Sequence, residues 1–217
     1  MKRYQLIVFD WDGTLMDSAQ KIVDCMQVAI QKNGLGQRSD AQIRHIIGLG
    51  MDEAIEHLFP GQSIDVKRLV AEYRDEFVSI NQTASPLYRG VTEMLDELEA
   101  QGYWIAVATG KSRAGLNHML ADMGMQKRFH ATKTADETAS KPNPLMLQEL
   151  MAECGYAAEQ VLMIGDTEFD VEMAHAAGVD GLAVKGGAHT EEHLRKFSPL
   201  AVLDTVADLL HWLETAA

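Results

Sequence analysis

The chain has 217 residues, 47% of them hydrophobic, enough to bury one α/β core carrying an insertion or two small cores. Its formal net charge is −13, from 19 basic and 32 acidic residues, so its surface repels nucleic-acid backbones and anionic lipid, and neither is expected as a partner. The first residues run straight into a strand pattern without a leader segment. No apolar run approaches the ~20 residues of a membrane span. Cys25 and Cys154 read as two buried free thiols. The expectation is a cytoplasmic protein, monomeric or homodimeric.

In chain order, residues 4–9 form a short apolar strand. Asp17 or Ser18 then caps a helix running to about Asn33, closed by Gly34. Residues 41–47, 52–58 and 64–81 have helical spacing with no strand among them, broken by Gly48-Leu49-Gly50 and Pro60-Gly61. A helical block of this size between strands reads as an insertion. From Pro86 onward strand and helix alternate: a helix over 91–101, a strand over 104–108, a helix to about Met123 and a strand over 129–132. Next come a helix opened by Lys141-Pro142 and ending at Cys154, a strand over 161–164 and a helix over 168–177. Weaker strands at 181–184 and 201–203 precede a last helix capped by Asp204. The strands are apolar throughout, as in a parallel sheet covered on both faces. The expected architecture is therefore α/β, a Rossmann-like parallel sheet core (1–15 and 86–217) with an inserted all-helical domain (16–85).

Three of these strands end in polar residues: Asp10 and Asp12, then Thr109, then Asp166 and Asp170. In an open parallel sheet the carboxyl ends of the strands share one edge, so residues far apart in sequence meet there. Lys141 reaches the same edge. Crowded carboxylates call for a hard cation such as Mg2+ or for a shared proton. The cation, the lysine, the hydroxyl and backbone N–H groups then suit an anion such as phosphate. One aspartate is left to attack and another to move protons.

Asp10-Trp11-Asp12-Gly13-Thr14-Leu15, Thr109-Gly110, Lys141-Pro142 and Gly165-Asp166-Thr167-Glu168-Phe169-Asp170, in that order, resemble the four motifs of the haloacid dehalogenase superfamily, over nearly the whole chain. The insertion resembles the small helical cap of the subgroup that includes phosphoglycolate phosphatases. The resemblance implies a Mg2+-dependent phosphatase acting on a small-molecule phosphate ester, phosphoglycolate-like or a sugar phosphate. It makes Asp10 the nucleophile that becomes an aspartyl-phosphate, and Asp12 the acid and base. It implies that Mg2+ takes Asp10, the backbone carbonyl of Asp12 and Asp166, with Asp170 close by. It gives Thr109, Gly110 and Lys141 to the phosphate, and Gly48, in the cap loop, to the substrate. A sugar-phosphate mutase on the same fold and a phosphate-accepting binding protein remain as alternatives; the acid at position 12 argues against the last. Arg44, His45, Arg113 and Lys185 are further candidates to meet an anionic substrate.

Other signals fail on their spacing. Gly110-Lys111-Ser112 lacks the glycine that a phosphate-wrapping loop needs at position 105, which is Ile. Gly48 and Gly50 begin a dinucleotide fingerprint that Glu53 breaks. His189-Thr190-Glu191-Glu192-His193 fits a zinc-peptidase pattern, but Gly186-Gly187 sets His189 ahead of the helix, and the stretch reads as a solvated helix start. The twelve methionines are scattered core filler.

Overall fold

Leu6, Ile7, Val8 and Phe9 are all fully buried, and a strand buried on both faces belongs in the middle of a covered sheet. The computed structural model describes residues 3–215, so the first two and last two residues of the expected core lie outside the described residues. Six strands, β1 (Leu6–Phe9), β2 (Trp104–Thr109), β3 (Ala131–Thr134), β4 (Val161–Gly165), β5 (Asp180–Val184) and β6 (Ala201–Leu203), form one parallel sheet in the order β3-β2-β1-β4-β5-β6.

Side chains alternate across the sheet. Ile7 and Phe9 pack with α5 (Val91–Ala100), α6 (Arg113–Asp122) and the last helix, α10 (Leu209–Thr215). Leu6 and Val8 pack on the other face with α7 (Leu145–Cys154) and α8 (Glu168–Ala177). Between β1 and β2 stands a helical insert of α1 (Ala19–Lys32), α2 (Asp40–His45), α3 (Met51–Leu58) and α4 (Val66–Asp75), ending in a π-helical turn over Glu76–Ile80. It has its own apolar cluster, to which the sheet side contributes Phe169 and Ala188. The two segments joining it to the sheet run side by side where Met16 bridges Leu87. Among the described residues no helix is long and apolar enough to cross a membrane.

Several boundaries move for local reasons. The helix expected from Lys141 starts at Leu145, because Asn143 precedes Pro144 and a residue before proline is kept out of the helical region. The Lys141–Pro142 bond is cis. The third strand pairs from Ala131, two residues late, since Phe129 turns its ring edge to Trp11 instead of joining the sheet. The final cap is Thr205, bonded reciprocally with Asp208; Asp204 pairs with Lys185. Cys25 is buried, whereas Cys154 is only half-buried, and both thiols are free.

Candidate active site

The register of the central strands assembles the site. Phe9 lies level with Val107 and with Ile164, so Asp10, Thr109 and Asp166 leave the sheet side by side. Asp10, Asp166 and Asp170 are fully buried, and one carboxylate oxygen from each lies within 4.8 Å of the other two. Gly13 makes this approach feasible: its φ is +82°, and a Cβ there would stand 2.2 Å from Asp166 Oδ2.

Each acid is held differently. Lys141 Nζ, buried, lies 2.7 Å from Asp10 Oδ1 and 2.6 Å from Asp170 Oδ1. Asp170 Oδ2 also accepts from the Thr167 amide at 3.1 Å and hydroxyl at 2.7 Å, which caps α8. Asp166 accepts from the Thr14 hydroxyl and from the Ala188 amide, both at 2.7 Å. Asp10 Oδ2 is buried with no hydrogen-bond partner among the described residues. Burial pushes the Asp10 carboxyl well up, Asp170 and Asp166 push it further, and Lys141 opposes them. Burial, then Asp170, raises Asp166 to about 7 against the pull of its two donors and Lys141. For Lys141 burial alone would lower the ammonium, but Asp10 and Asp170 more than offset it, and the group is raised. Three acids sharing one ammonium, with an orphaned oxygen among them, fit a divalent cation of the hard, oxygen-seeking kind.

Asp12 stands apart from that trio. Ser18 donates its hydroxyl to Asp12 Oδ1 at 2.6 Å, and Lys111 Nζ lies 2.9 Å from Oδ2. Ser18 does open α1, but its side chain makes no cap bond there because Asp12 takes it. Lys111 also sits 4.9 Å from the centre of the Phe77 ring, so one ammonium joins the insert to the acid.

Asp10, Asp12, Thr109, Gly110 and Lys111 line one wall of a cavity of about 720 Å³. Met26, Val70, Tyr73 and Phe77 from the insert line the other. Gly48, Leu49 and Gly50 close over it; a Cβ on Gly110 would meet the Gly48 carbonyl at 2.4 Å, and the Gly50 amide donates to Ser140 Oγ at 2.8 Å. Lys141, Asp166 and Asp170 are buried behind Asp10 and do not line the cavity themselves.

The structure thus brings together every residue singled out at the strand ends, together with Gly48. Arg44, Arg113 and Lys185 are engaged elsewhere, with Gln20, with Glu137, and with Glu191 and Asp204. His45 stacks on His189. Sequence reading missed Ser18, Lys111 and Thr14 as partners of the acids. Ser18 and Lys111 stand beside recognised motifs, but their spacing matched cap and P-loop patterns instead. His189 does precede its helix, but it is buried and not a solvated helix start.

A doubly wound sheet with acids at its central strand ends and a helical insert after the first strand defines a hydrolase of the haloacid dehalogenase class. Residues 7–184 match the haloacid dehalogenase-like hydrolase family, and the chain belongs to it. A phosphoglycolate phosphatase of Mesorhizobium japonicum is 33% identical over 91% of this chain and 89% of its own. Another, of Vibrio parahaemolyticus, is 29% identical over 98% and 97%. Among solved structures, a hydrolase of Pseudomonas syringae shares the fold with a TM-score of 0.89 over 98% of this chain and 99% of its own, at 22% identity.

Proposed function

We propose that the protein is a Mg2+-dependent phosphatase that hydrolyses a metabolite-sized phosphate monoester through an aspartyl-phosphate on Asp10. The observation that carries this is the pairing of an unpartnered, buried Asp10 Oδ2 with a cavity that Asp10 itself lines.

Asp10 attacks phosphorus and the bond to the leaving oxygen breaks. Asp12 gives that oxygen its proton. Asp12 then takes a proton from the water that attacks phosphorus, the bond to Asp10 breaks, and inorganic phosphate leaves with both acids restored. Lys141 holds Asp10 in place, while Thr109, the Gly110 amide and Lys111 suit the phosphoryl oxygens. Asp10 and Asp166, with Asp170 close by, would hold Mg2+, which when bound neutralises charge on the transferring group. The insert acts as a cap that excludes water and meets the leaving group.

The M. japonicum and V. parahaemolyticus relatives carry a name that specifies phosphoglycolate. A cavity of about 720 Å³ lies in the range that holds drug-sized ligands, and a two-carbon acid would leave most of it empty. A sugar phosphate or a similarly sized ester fills it better, with Lys67 and Arg74 of α4 supplying cations beside its apolar wall. Phosphate release from a panel of monophosphates, with and without Mg2+, tests the reading. Metal-dependent release from a few of them supports it. Isomerisation without release points to a mutase, and neither release nor consumption across the panel removes the phosphatase reading.

A further inference from the structure

Behind the cap loop, and outside the cavity lining, lies a second cluster of metal-ligating groups that the proposed hydrolysis does not use. His45, Glu168, His189 and His193 each bring one ligand atom to within 4.8 Å of all the others. Three belong to the sheet side: Glu168 opens α8, while His189 and His193 flank the start of α9 (Glu191–Leu194). His45 ends α2 of the insert. The side chains of His189, Glu168 and His193 are 3%, 12% and 32% exposed, so the cluster is sheltered while His45 closes it from the surface.

We propose that these four residues form a transition-metal site of the Zn2+ class that ties the helical insert to the core. The donor set is three imidazoles and one carboxylate, which suits Zn2+ and its neighbours and differs from the all-oxygen trio at Asp10. His189 is already oriented as a metal-bound histidine is. Its Nε2 donates to the His45 carbonyl at 3.1 Å, because a carbonyl only accepts. That fixes the tautomer and leaves the lone pair on Nδ1, 3.6 Å from Glu168 Oε2. At present Nδ1 accepts only the Glu168 amide, at 3.2 Å, a neutral bond that a cation displaces. Glu168 Oε2 is also the partner of His193 Nε2, so one oxygen faces two imidazoles. The His45 ring stacks on His189 with centroids 5.0 Å apart and meets His193 edge-on at 5.8 Å.

The zinc-peptidase spacing in the sequence pointed at the wrong acid. Glu192 is 90% exposed; Glu168, more than twenty residues earlier, supplies the carboxylate. Because His45 precedes Gly48 by three residues, a metal here would hold the Gly48–Leu49 turn down on Gly110.

Equilibrium dialysis of the full chain against Zn2+, in saturating Mg2+ to fill the aspartate trio, tests the site without requiring turnover. One tightly held Zn2+ per chain is expected, and Co2+ in its place should give the visible bands of a four-coordinate ion. His193→Ala should weaken binding at least about 100-fold, beyond the loss from disturbing a residue that only orients a ligand. His45→Ala, on the exposed helix end, is the second variant; it should weaken binding and remove the Zn2+-dependent protection of the amides of 46–49 in hydrogen exchange. No retained Zn2+, an affinity unchanged from the parent chain in both variants because the metal sits on the aspartates, or binding without protection of 46–49 would each overturn the proposal. None of these outcomes bears on phosphate release, so the two readings stand or fall separately.

Discussion

Lys111 Nζ lies 2.9 Å from Asp12 Oδ2, and the same ammonium sits over the Phe77 ring of the insert. It ties Asp12, in the cavity lining, to the insert. Lys111→Met removes one charge-assisted bond, worth roughly 1.5–3 kcal/mol. In steady-state assays kcat/KM should fall roughly 10- to 100-fold. An unchanged kcat/KM would mean that Lys111 plays no part in turnover.

Lys141 has a different task. It is fully buried between Asp10 and Asp170, and removing it leaves three acids without a counter-charge. Lys141→Met should lower the stability of the metal-free protein by about 3–5 kcal/mol in urea unfolding, the usual effect of stripping one member from a buried pair. Added Mg2+ should restore part of that loss by replacing the missing cation. A variant as stable as the parent, and indifferent to Mg2+, would remove Lys141 from this role.

The Asp166 carboxyl is raised to about 7, and a metal ligand must be ionised. Below that value Asp166 holds its proton and Mg2+ must displace it; above it Asp166 is ionised. Apparent Mg2+ affinity should therefore strengthen about tenfold between pH 6 and pH 8, with proton release on binding near pH 6. Calorimetry in buffers of different ionisation enthalpy measures both. A pH-independent affinity would contradict the assignment of Asp166 as a ligand.

Gly110 tests the cap loop. A Cβ at this position would stand 2.4 Å from the Gly48 carbonyl and 2.5 Å from that of Leu49, both of them backbone atoms that cannot swing aside. Gly110→Ala should push the loop off the site and lower kcat/KM by at least about tenfold, as displacements of about an ångström do. Because the clash falls on the insert and not on the sheet, the melting temperature should move by only a few degrees, about the shift of 1 kcal/mol in a domain of this size. Unaltered kinetics would show that the loop does not shape the site.

The fold class was legible because its strands are short apolar runs that end in polar residues, whereas the order that sets β2, β1 and β4 side by side came only with the structure. The acids were legible for the same reason: a charge at the end of a buried strand is expensive unless it is used. What escaped depends on partners distant in sequence. Ser18 looked like a helix cap, since nothing local shows that Asp12 captures its hydroxyl. Lys141-Pro142 looked like a helix start because the fixed φ of Pro142 suits one, while the restriction that Pro144 places on Asn143 set the real start at Leu145. The histidine cluster needed the insert folded against the core, which no spacing within 189–193 reveals.

The central claim is that Asp10 carries the phosphoryl group. The most direct measurement is an acid quench during turnover of a reactive phosphate ester in Mg2+, followed by mass spectrometry of the peptide that contains Asp10. The account predicts one acid-stable, base-labile phosphoryl group on Asp10 in the parent chain, with neither label nor turnover in a folded Asp10→Asn variant. Turnover that persists in Asp10→Asn, or a phosphoryl group found on another residue, would contradict it.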